Sequence, residues 1–330
     1  MAGILVLGEL TDDGLASITG ELVAAGRSIS EGLNELVTVA LLSDDAEEHA
    51  QSAIASGADR VYTVSHALMS TPQPDVYLAA LEQVCAQTSP SVLLIGRTLL
   101  GRDLGPRLAF RLGVAVAQDC VELEVDRSTR RVIARRPVYG GNAMAEITFP
   151  GDGVQVVVVR PDTYEALEAD PGRTGEVGSL SVDIDESVIK SRVLETVTQA
   201  AEGIRLEDAA IVISGGRGLG GPEPFEQLEG LAQLLKGAVG ASRAVCDAGW
   251  LDHAYQIGLT GKTITPDLYI TVAISGASQH MAGCSSAMHI VAINRDKEAN
   301  IFKAASFGVV GDWNNILPSF IETVRELVDS

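Results

Sequence analysis

Between residues 211 and 280, three short apolar runs each lead into a loop of small residues. The loops are Ser-Gly-Gly-Arg-Gly at 214–218, Val-Gly-Ala-Ser-Arg at 239–243 and Ser-Gly-Ala-Ser-Gln-His at 275–280. The β-branched content of the runs predicts strands. In a parallel sheet the carboxyl ends of the strands meet at one crevice, where such folds bind ligands. We therefore expect an α/β fold in which the three loops converge on one site.

The loops carry groups that suit an anionic ligand. Glycines in the first loop let the backbone take positive φ and point its N–H groups outward. The third loop opens a helix, where phosphate is favoured. In the second loop Ser242 stands beside the permanently charged Arg243, and Thr260 lies between Gly258 and Gly261. A single loop of this kind also occurs where the chain only needs a tight turn, so the prediction depends on the whole set.

Composition limits the partners of the protein. The chain has 330 residues and is 46% hydrophobic but only 4% aromatic, which suits two α/β domains with aliphatic cores. The formal net charge of −20 argues against nucleic acid and anionic membranes, because both require a basic surface. Residues 205–330 hold 9 basic and 14 acidic side chains, a net of −5, so this part is less acidic than the rest and better suited to a pyrophosphate.

The cysteines and the N-terminus point to an intracellular protein. Cys85, Cys120, Cys246 and Cys284 stand far apart, which predicts buried thiols rather than a zinc site or disulfides. The chain enters a strand at once, without the pattern of a secretory signal, and no apolar run reaches the length of a membrane span. We expect a soluble, cytoplasmic protein without membrane insertion.

The N-terminal half shows an alternation of strands and helices. This order is typical of a parallel sheet, and the strands are predicted at 3–9, 36–42, 60–64 and 91–96. Later runs predict an antiparallel extension of that sheet, at 121–125, 131–136, 145–149 and 154–159. Periodicity is poor from 163 to 203, where only 182–184 favours a strand. We therefore predict two domains, residues 1–200 and 201–330.

The C-terminal domain repeats the alternation. Strands are predicted near 210–214, 238–240, 269–274, 290–294 and 307–311, with helices at 223–236 and 316–328. This order implies a doubly wound α/β domain of flavodoxin-like topology.

Six strings of this domain resemble one known family, the α subunit of electron transfer flavoprotein. They lie in matching order and spacing at 214–218, 239–243, 247–249, 258–262, 275–280 and 291–296. A weaker likeness covers most of the N-terminal half. The resemblance implies that the C-terminal domain binds FAD and that the N-terminal domain has no cofactor of its own and packs against a β subunit.

The resemblance also implies a set of cofactor-binding residues. Arg243 lies against the isoalloxazine ring, Thr260 donates toward N5, and His280 lies at the O2 end, where it stabilises negative charge on the reduced flavin. Asn294 and Asp312 contact the adenosine end. The full predicted set is Arg217, Ser242, Arg243, Ile257, Gly258, Leu259, Thr260, Ser275, Gly276, Ala277, Ser278, Gln279, His280, Asn294, Asp312 and Trp313.

Several of these residues have simpler alternative roles, and two depart from the family. Arg243 could pair with Asp247 on a helix surface, His280 could cap a helix, and Asp312 could do the same. The family usually has Gln where this chain has Leu259, which puts the redox potential in doubt but not the binding. Ser278 replaces a residue that is commonly apolar.

A second basic string, at 97–107, follows the strand at 91–96. Three arginines there could bind a nucleotide, but the resembled family holds no cofactor in this domain. We predict instead that Asp103 pairs with one arginine and that Arg107 ties loops together.

The resemblance implies an electron carrier rather than an enzyme. It accepts electrons from flavin dehydrogenases, as in fatty acid β-oxidation, and passes them to a quinone oxidoreductase or another acceptor. Its obligate partner is a β subunit that holds AMP or a second FAD, and no catalytic residue or metal is expected. One alternative is a subunit of an electron-bifurcating complex linked to NADH. Another is a nucleotide-binding enzyme or regulator, although the chain lacks the usual dinucleotide and P-loop glycine motifs.

Overall fold

The computed structural model describes residues 3–11, 14–139, 143–191 and 204–328. The chain divides into two compact units: described residues 3–138 and 143–191 belong to the first, and residues 204–328 form most of the second. The predicted domain boundary at residue 200 lies outside the described residues.

The first unit is built on a seven-stranded sheet in which every pairing is parallel, in the order β12-β5-β4-β1-β6-β11-β7. The strands of this unit are β1 Ile4–Gly8, β2 Leu10–Thr11, β3 Gly14–Leu15, β4 Val37–Leu42, β5 Arg60–Val64, β6 Val92–Gly96, β7 Val116–Cys120, β8 Glu122–Asp126, β9 Arg131–Val138, β10 Ala143–Ile147, β11 Gln155–Val159 and β12 Glu176–Ser179. The helices are α1 Ser17–Leu33, α2 Ala50–Ala55, α3 Pro74–Thr88 and α4 Leu99–Leu112.

Helices cover both faces of this sheet. Leu22 of α1 and Ile54 of α2 belong to the core on one face, and Leu81 of α3 and Leu104 of α4 belong to the core on the other. All residues of β1, β4, β6 and β11 are buried. Continuous Val, Ile and Leu runs form such strands because both faces of the sheet are removed from water. The predicted parallel α/β domain is confirmed.

The predicted antiparallel extension takes a different form. Strands β8, β9 and β10 form a separate three-stranded antiparallel sheet, whereas β11 is inserted as a parallel strand between β6 and β7. Burial explains the difference. The β11 run is buried on both faces, while β8 alternates between exposed and buried residues and keeps one face in water.

The segment after residue 163 contributes an edge strand that the sequence pattern misplaced. The strand is β12, paired with β5 from Glu176↔Arg60 to Ser179↔Thr63, and residues 182–184 form none. The exposed β12 has no hydrophobic alternation, so it gives no periodic signal. An Arg60–Glu176 ion pair holds this edge together.

The arginine-rich string after β6 has the predicted structural role. Arg107 forms ion pairs with Asp103 on the preceding turn of α4 and with Asp75 at the start of α3. Arg97 pairs with Asp119 at 3.3 Å. Arg97 and Arg107 therefore both have carboxylate partners within the unit.

The second unit contains a six-stranded sheet, again with every pairing parallel, in the order β15-β14-β13-β16-β17-β18. Its strands are β13 Ile211–Gly215, β14 Ala238–Ser242, β15 Gln256–Ile257, β16 Leu268–Val272, β17 His289–Asn294 and β18 Phe307–Val310. The helices are α5 Phe225–Leu234, α6 Arg243–Cys246, α7 Ser278–Met281 and α8 Trp313–Val328.

The predicted doubly wound fold of this unit is confirmed, with one refinement of its topology. The flavodoxin-like order is 2-1-3-4-5, and the sheet has that order when β15 is left out. With the two-residue β15 included, the order becomes 3-2-1-4-5-6, the arrangement of dinucleotide-binding folds. The extra strand arises because Gln256 and Ile257 pair with Ala241 and Ser242.

All four cysteines are buried and free, and burial raises the pKa of Cys85, Cys120 and Cys284 to about 12. Among the described helices, none combines the length and hydrophobicity that crossing a membrane requires.

Candidate functional site

A cavity of about 830 Å³ lies at the carboxyl ends of the strands in the second unit. This volume is within the usual range of about 300–1,000 Å³ for sites that bind small molecules and cofactors. The loops after β13, β14, β15, β16 and β17 all contribute to its wall. The predicted convergence of the small-residue loops is therefore confirmed.

Most of the predicted cofactor-binding residues line this cavity. They are Arg217, Ser242, Arg243, Ile257, Gly258, Leu259, Thr260, Ser275, Ala277, Gln279, His280 and Asn294. The predicted residues Gly276, Ser278, Asp312 and Trp313 do not line it. That these residues bind a flavin stays a prediction.

Glycines allow the loops to approach one another closely. A Cβ atom at Gly216 would collide with the carbonyl oxygen of Ala273, which is in the loop after β16. Gly258 has φ +142°, and its Cβ would lie 2.8 Å from the carbonyl oxygen of Gln279. The next residue, Leu259, donates its N–H to that same oxygen at 2.7 Å. The wall of the cavity is thus held in place by direct backbone contacts.

The charged groups on the wall leave an excess of positive charge. They are three arginines and two aspartates, a local net of +1 in a chain whose overall charge is −20. Arg217 and Arg295 are exposed, and neither forms an ion pair within the described ranges. Arg243 is 65% exposed and pairs with Asp247 at 3.2 Å, as the alternative interpretation predicted, while still lining the cavity. This wall suits an anionic ligand.

Thr260 is oriented by a buried amide. Its Oγ1 accepts a hydrogen bond from Nε2 of Gln256 at 3.0 Å, and the Gln256 oxygen lies 2.9 Å from Nδ1 of His253. A hydroxyl that accepts one bond keeps its own hydrogen for donation. Because both Gln256 and Thr260 line the cavity, the Thr260 hydroxyl is available as a donor to a bound molecule.

His280 is held as a neutral imidazole beneath the cavity. Its Nδ1 lies 3.1 Å from the carbonyl oxygen of Ile257, and its Nε2 lies 2.8 Å from the hydroxyl of Tyr269. A carbonyl only accepts, so Nδ1 carries the hydrogen and Nε2 accepts from Tyr269. Burial lowers the pKa of His280 to about 4, and the hydrogen bond to Ile257 acts weakly in the opposite direction. His280 therefore has two buried partners rather than the role of a helix cap.

The remaining predicted residues have mostly structural contacts. The Asn294 amide donates to the carbonyl of Ile274 at 2.8 Å and accepts from the N–H of Asp296 at 2.9 Å, so it ties two loops of the cavity together. Asp312 accepts from the N–H of Asn314 at 3.0 Å and caps α8, as the alternative predicted. Trp313 lines a small cavity of about 30 Å³ beside Asn294.

Gly276 and Ser278 shape the loop instead of facing the cavity. Gly276 has φ +75°, and a Cβ there would collide with the backbone of Ile301. The Ser278 hydroxyl is exposed and donates to the side chain of Gln279 at 3.3 Å. Leu259 lines the cavity and is 55% exposed, so this departure from the family pattern puts an apolar side chain on the wall.

The sequence interpretation missed several residues at this site. The sequence patterns predict Tyr269 only as part of a strand, assign no role to Gln256, and do not single out Arg295 within the string at 291–296. Nothing in the local pattern marks Gln256 or Tyr269, because their roles depend on contacts across loops and strands. For Arg295, the basic residue directly after β17 was an available signal.

Comparison with known proteins agrees with this geometry. Residues 4–185 match the electron transfer flavoprotein domain family, and residues 205–285 match the electron transfer flavoprotein FAD-binding domain family. The chain is 39% identical over 98% of its length to the electron transfer flavoprotein subunit alpha of Thermoanaerobacterium thermosaccharolyticum, covering 98% of that protein. It is 40% identical to the subunit alpha of Bacillus subtilis, with 98% of each chain covered, and 36% identical to protein FixB of Clostridium saccharobutylicum, with 99% and 98% covered. The chain belongs to the electron transfer flavoprotein α-subunit family.

Proposed function

We propose that this chain is the FAD-binding subunit of a heterodimeric electron transfer flavoprotein. The observation that carries the proposal is the convergence of the predicted loops on one cavity whose wall has a net positive charge and two arginines without a carboxylate partner among the described residues. A dinucleotide needs such a wall for its pyrophosphate, together with an elongated crevice at the carboxyl edge of a doubly wound sheet. The family to which the chain belongs supports the same cofactor, because one of its two matching regions is an FAD-binding domain.

The residues of the cavity fit the parts of FAD by their chemistry. Arg217 and the N-terminal turn of α7 offer cationic and N–H donors for the pyrophosphate. Arg243 and Thr260 stand on the wall and suit the isoalloxazine ring, which needs donors where negative charge develops on reduction. His280 lines the same wall with both ring nitrogens bonded within the protein. Asn294 holds the loops that would enclose the adenosine end. Bound FAD supplies the storage of one or two electrons.

The chain's own residues bind and orient the cofactor and tune its potential. Thr260 presents a hydroxyl hydrogen that Gln256 keeps directed away from itself. Arg243, at the carboxyl end of β14, places a fixed positive charge on the wall and stabilises electron density that enters the site. Members of this family are electron carriers and do not transform a metabolite, and we propose the same for this chain.

The proposed partners follow from the family. We propose a β subunit as the heterodimeric partner, holding AMP or, in the bifurcating alternative, a second FAD. Electrons come from flavin dehydrogenases and pass to a quinone oxidoreductase or another acceptor. The acidic surface of the chain, with its net charge of −20, suits cationic docking sites on such partners.

The test is a visible absorption spectrum of the full chain co-produced with its β subunit, before and during stepwise anaerobic reduction. We expect flavin bands that bleach on reduction and one FAD released per heterodimer. Two FAD per heterodimer would favour the bifurcating complex. A colourless complex that cannot be reconstituted with FAD, but binds ATP or AMP through the α subunit, would replace this proposal with the nucleotide-binding alternative.

A further inference from the structure

A buried amide connects the cavity with the protein surface. Gln256 is only 4% exposed, and its Nε2 donates to the Thr260 hydroxyl on the cavity wall at 3.0 Å. The oxygen of the same amide lies 2.9 Å from Nδ1 of His253, whose side chain is exposed. His253, Gln256 and Thr260 therefore form a hydrogen-bond relay from solvent to the cavity.

The observed direction of the relay makes Thr260 a donor. An amide oxygen only accepts, so Nδ1 of His253 carries the hydrogen, and the amide nitrogen of Gln256 is directed to Thr260. The Thr260 hydroxyl accepts that bond and has its own hydrogen left for the cavity. In this arrangement Thr260 serves a ligand atom that accepts a hydrogen bond.

The same side chains can form the relay in the opposite direction. When the Gln256 amide is turned over, its oxygen accepts from Thr260 and its nitrogen donates to Nδ1 of His253, which then carries its hydrogen at Nε2. Both arrangements contain two hydrogen bonds, and neither changes the charge of the ring. In the second arrangement Thr260 serves a ligand atom that donates a hydrogen bond.

A short turn before β15 places His253 beside the amide. The Asp252 side chain accepts from the N–H of Ala254 at 2.8 Å, and the Asp252 carbonyl accepts from the N–H of Tyr255 at 3.1 Å. Gln256 follows as the first residue of β15, whose pairing with β14 fixes its backbone. The contact between His253 and Gln256 therefore spans only this ordered turn.

We propose that His253 is a positioning residue that sets the direction of the relay and lets Thr260 serve both redox forms of the bound cofactor. The inference rests on the proposed function, because the flavin N5 accepts a hydrogen bond when oxidised and carries a hydrogen when fully reduced. Two electrons from a donor and a proton from solvent make that change. Thr260 keeps its proton, and the hydrogen that His253 gives to solvent at Nδ1 is replaced from solvent at Nε2.

The first test is the midpoint potential of FAD in the heterodimer with His253→Asp. A carboxylate here has an oxygen at the position of Nδ1 and only accepts, so it holds the relay in the second arrangement. Loss of the Thr260 donor should weaken the binding of oxidised FAD about tenfold relative to reduced FAD, which raises the potential by about 30 mV. A negative charge alone has the opposite effect, because it opposes the entry of electrons.

Two further variants separate the direction of the relay from charge and from loss of the ring. Ala254→Asp adds the same charge at a neighbouring exposed residue, and it should lower the potential or leave it unchanged. His253→Asn has an amide that can donate or accept, so it should restore the natural potential. A potential in His253→Asp that matches Ala254→Asp would overturn the proposal, as would equal potentials in His253→Asp and His253→Asn.

Nuclear magnetic resonance of ring-¹⁵N-labelled histidine follows the hydrogen directly, with His253→Asn for assignment. We expect His253 to carry it at Nδ1 in the heterodimer with oxidised FAD and at Nε2 with reduced FAD. The Nδ1 form in both redox states would overturn the reversal of the relay.

The flavin-free chain separates this inference from the proposed function. His253 should carry its hydrogen at Nδ1 there, and Gln256→Leu should remove this preference because it removes the acceptor. The Nε2 form in the natural chain would overturn the relay even if FAD binds. If no FAD binds but both expected signals are observed, the proposed function fails while the role of His253 in orienting Thr260 is supported.

Discussion

The two parallel sheets of this chain differ in how the arginines at the carboxyl ends of their strands are paired. At the carboxyl ends of β6, β11 and β7, Arg97 pairs with Asp119 at 3.3 Å and Arg160 pairs with the same carboxylate at 2.7 Å, so both guanidinium groups have a carboxylate partner. At the corresponding edge of the second sheet, Arg217 and Arg295 have no carboxylate partner among the described residues. In the first sheet the arginines are paired with a carboxylate of the protein, whereas in the second sheet two guanidinium groups remain available to an anionic ligand.

This difference shows that a string of arginines after a strand does not by itself indicate a binding site. Both units share the doubly wound parallel architecture, and both place arginines where such folds bind ligands. What separates them is the supply of nearby carboxylates. Asp75, Asp103 and Asp119 pair with Arg97, Arg107 and Arg160 in the first unit, whereas only one of the three arginines on the cavity wall is paired, Arg243 with Asp247.

The largest loss of stability is expected when a glycine that allows close backbone approach is replaced by alanine, in either unit. Gly276→Ala should destabilise the second unit by more than about 3 kcal/mol, because it combines positive φ with a collision against Ile301. The same change should abolish the retention of FAD. Urea unfolding and the flavin content of the purified heterodimer measure the two effects.

Two matched glycine variants separate the causes. Gly220→Ala also has positive φ, at +90°, but its Cβ meets open space, so it should cost only about 1 kcal/mol and retain FAD. Gly101→Ala collides with the Gly96 carbonyl in the first unit and should destabilise that unit instead. Equal losses of stability in Gly276→Ala and Gly220→Ala would show that the close approach to Ile301 is unimportant.

The first unit buries a titratable carboxyl near a strand end, and its stability should therefore depend on pH. Glu9 directly follows β1, accepts a bond from Thr98 at 2.9 Å, and has its pKa raised by burial to about 7. The folded state therefore holds a proton that the unfolded state loses above about pH 4.5. The stability of the unit falls as pH rises from that value through about 7, and then levels off.

Replacing this carboxyl with an amide should remove the pH-dependent cost. Glu9→Gln should raise the free energy of unfolding by about 3 kcal/mol at pH 8 and change it little at pH 4.5, since Gln stays neutral and still accepts from Thr98. Urea unfolding at the two pH values checks this. Glu48→Gln, at an exposed site, is the control. The same gain at both pH values would mean that Glu9 is not protonated in the folded chain.

The paired and unpaired arginines give the most direct test of the comparison. Arg217→Gln should weaken FAD binding by about tenfold to a hundredfold, because it removes a charged donor of about 1.5–3 kcal/mol, and should hardly change stability. Arg97→Gln should do the reverse, costing about 1 kcal/mol of stability with unchanged FAD affinity. Fluorescence titration with FAD and urea unfolding measure both quantities. Weaker FAD binding in Arg97→Gln would contradict the comparison.

The sequence predicted the elements and the convergence of the loops, because both follow from local patterns. Strand runs such as 92–96 are continuous and β-branched, and parallel strands must bring their carboxyl ends together. It could not predict that β11 enters the sheet between β6 and β7, since its run of valines fits any buried strand. Nor could it predict β12, because the residues of this strand are mostly exposed and its partner β5 lies more than 100 residues earlier in the sequence.

The sequence predicted most of the residues named for the site, but not the residues that orient them through hydrogen bonds. The predicted residues that line the cavity lie within the small-residue loops themselves, whose sequence strings are distinctive. Tyr269 and Gln256 act through hydrogen bonds to His280 and Thr260, and such contacts depend on side-chain geometry across separate loops. Asp312 differs from these residues: the resemblance implied a contact with the adenosine end, and the structure shows the helix cap that was the alternative interpretation.

The smallest effect on FAD binding is expected from Gln256. Its proposed role is to orient the Thr260 hydroxyl, to which its amide donates a hydrogen bond. Gln256→Leu has a similar shape but cannot donate to the Thr260 hydroxyl, which then turns freely instead of presenting its hydrogen to the cavity. We expect FAD binding about fivefold weaker, near 1 kcal/mol, and a shifted flavin absorption band. His253→Ala, which removes only the outer end of this chain of bonds, should shift the band less. If both variants keep the natural affinity and spectrum, Thr260 needs no orienting partner, and the second unit would depend on its unpaired charges alone.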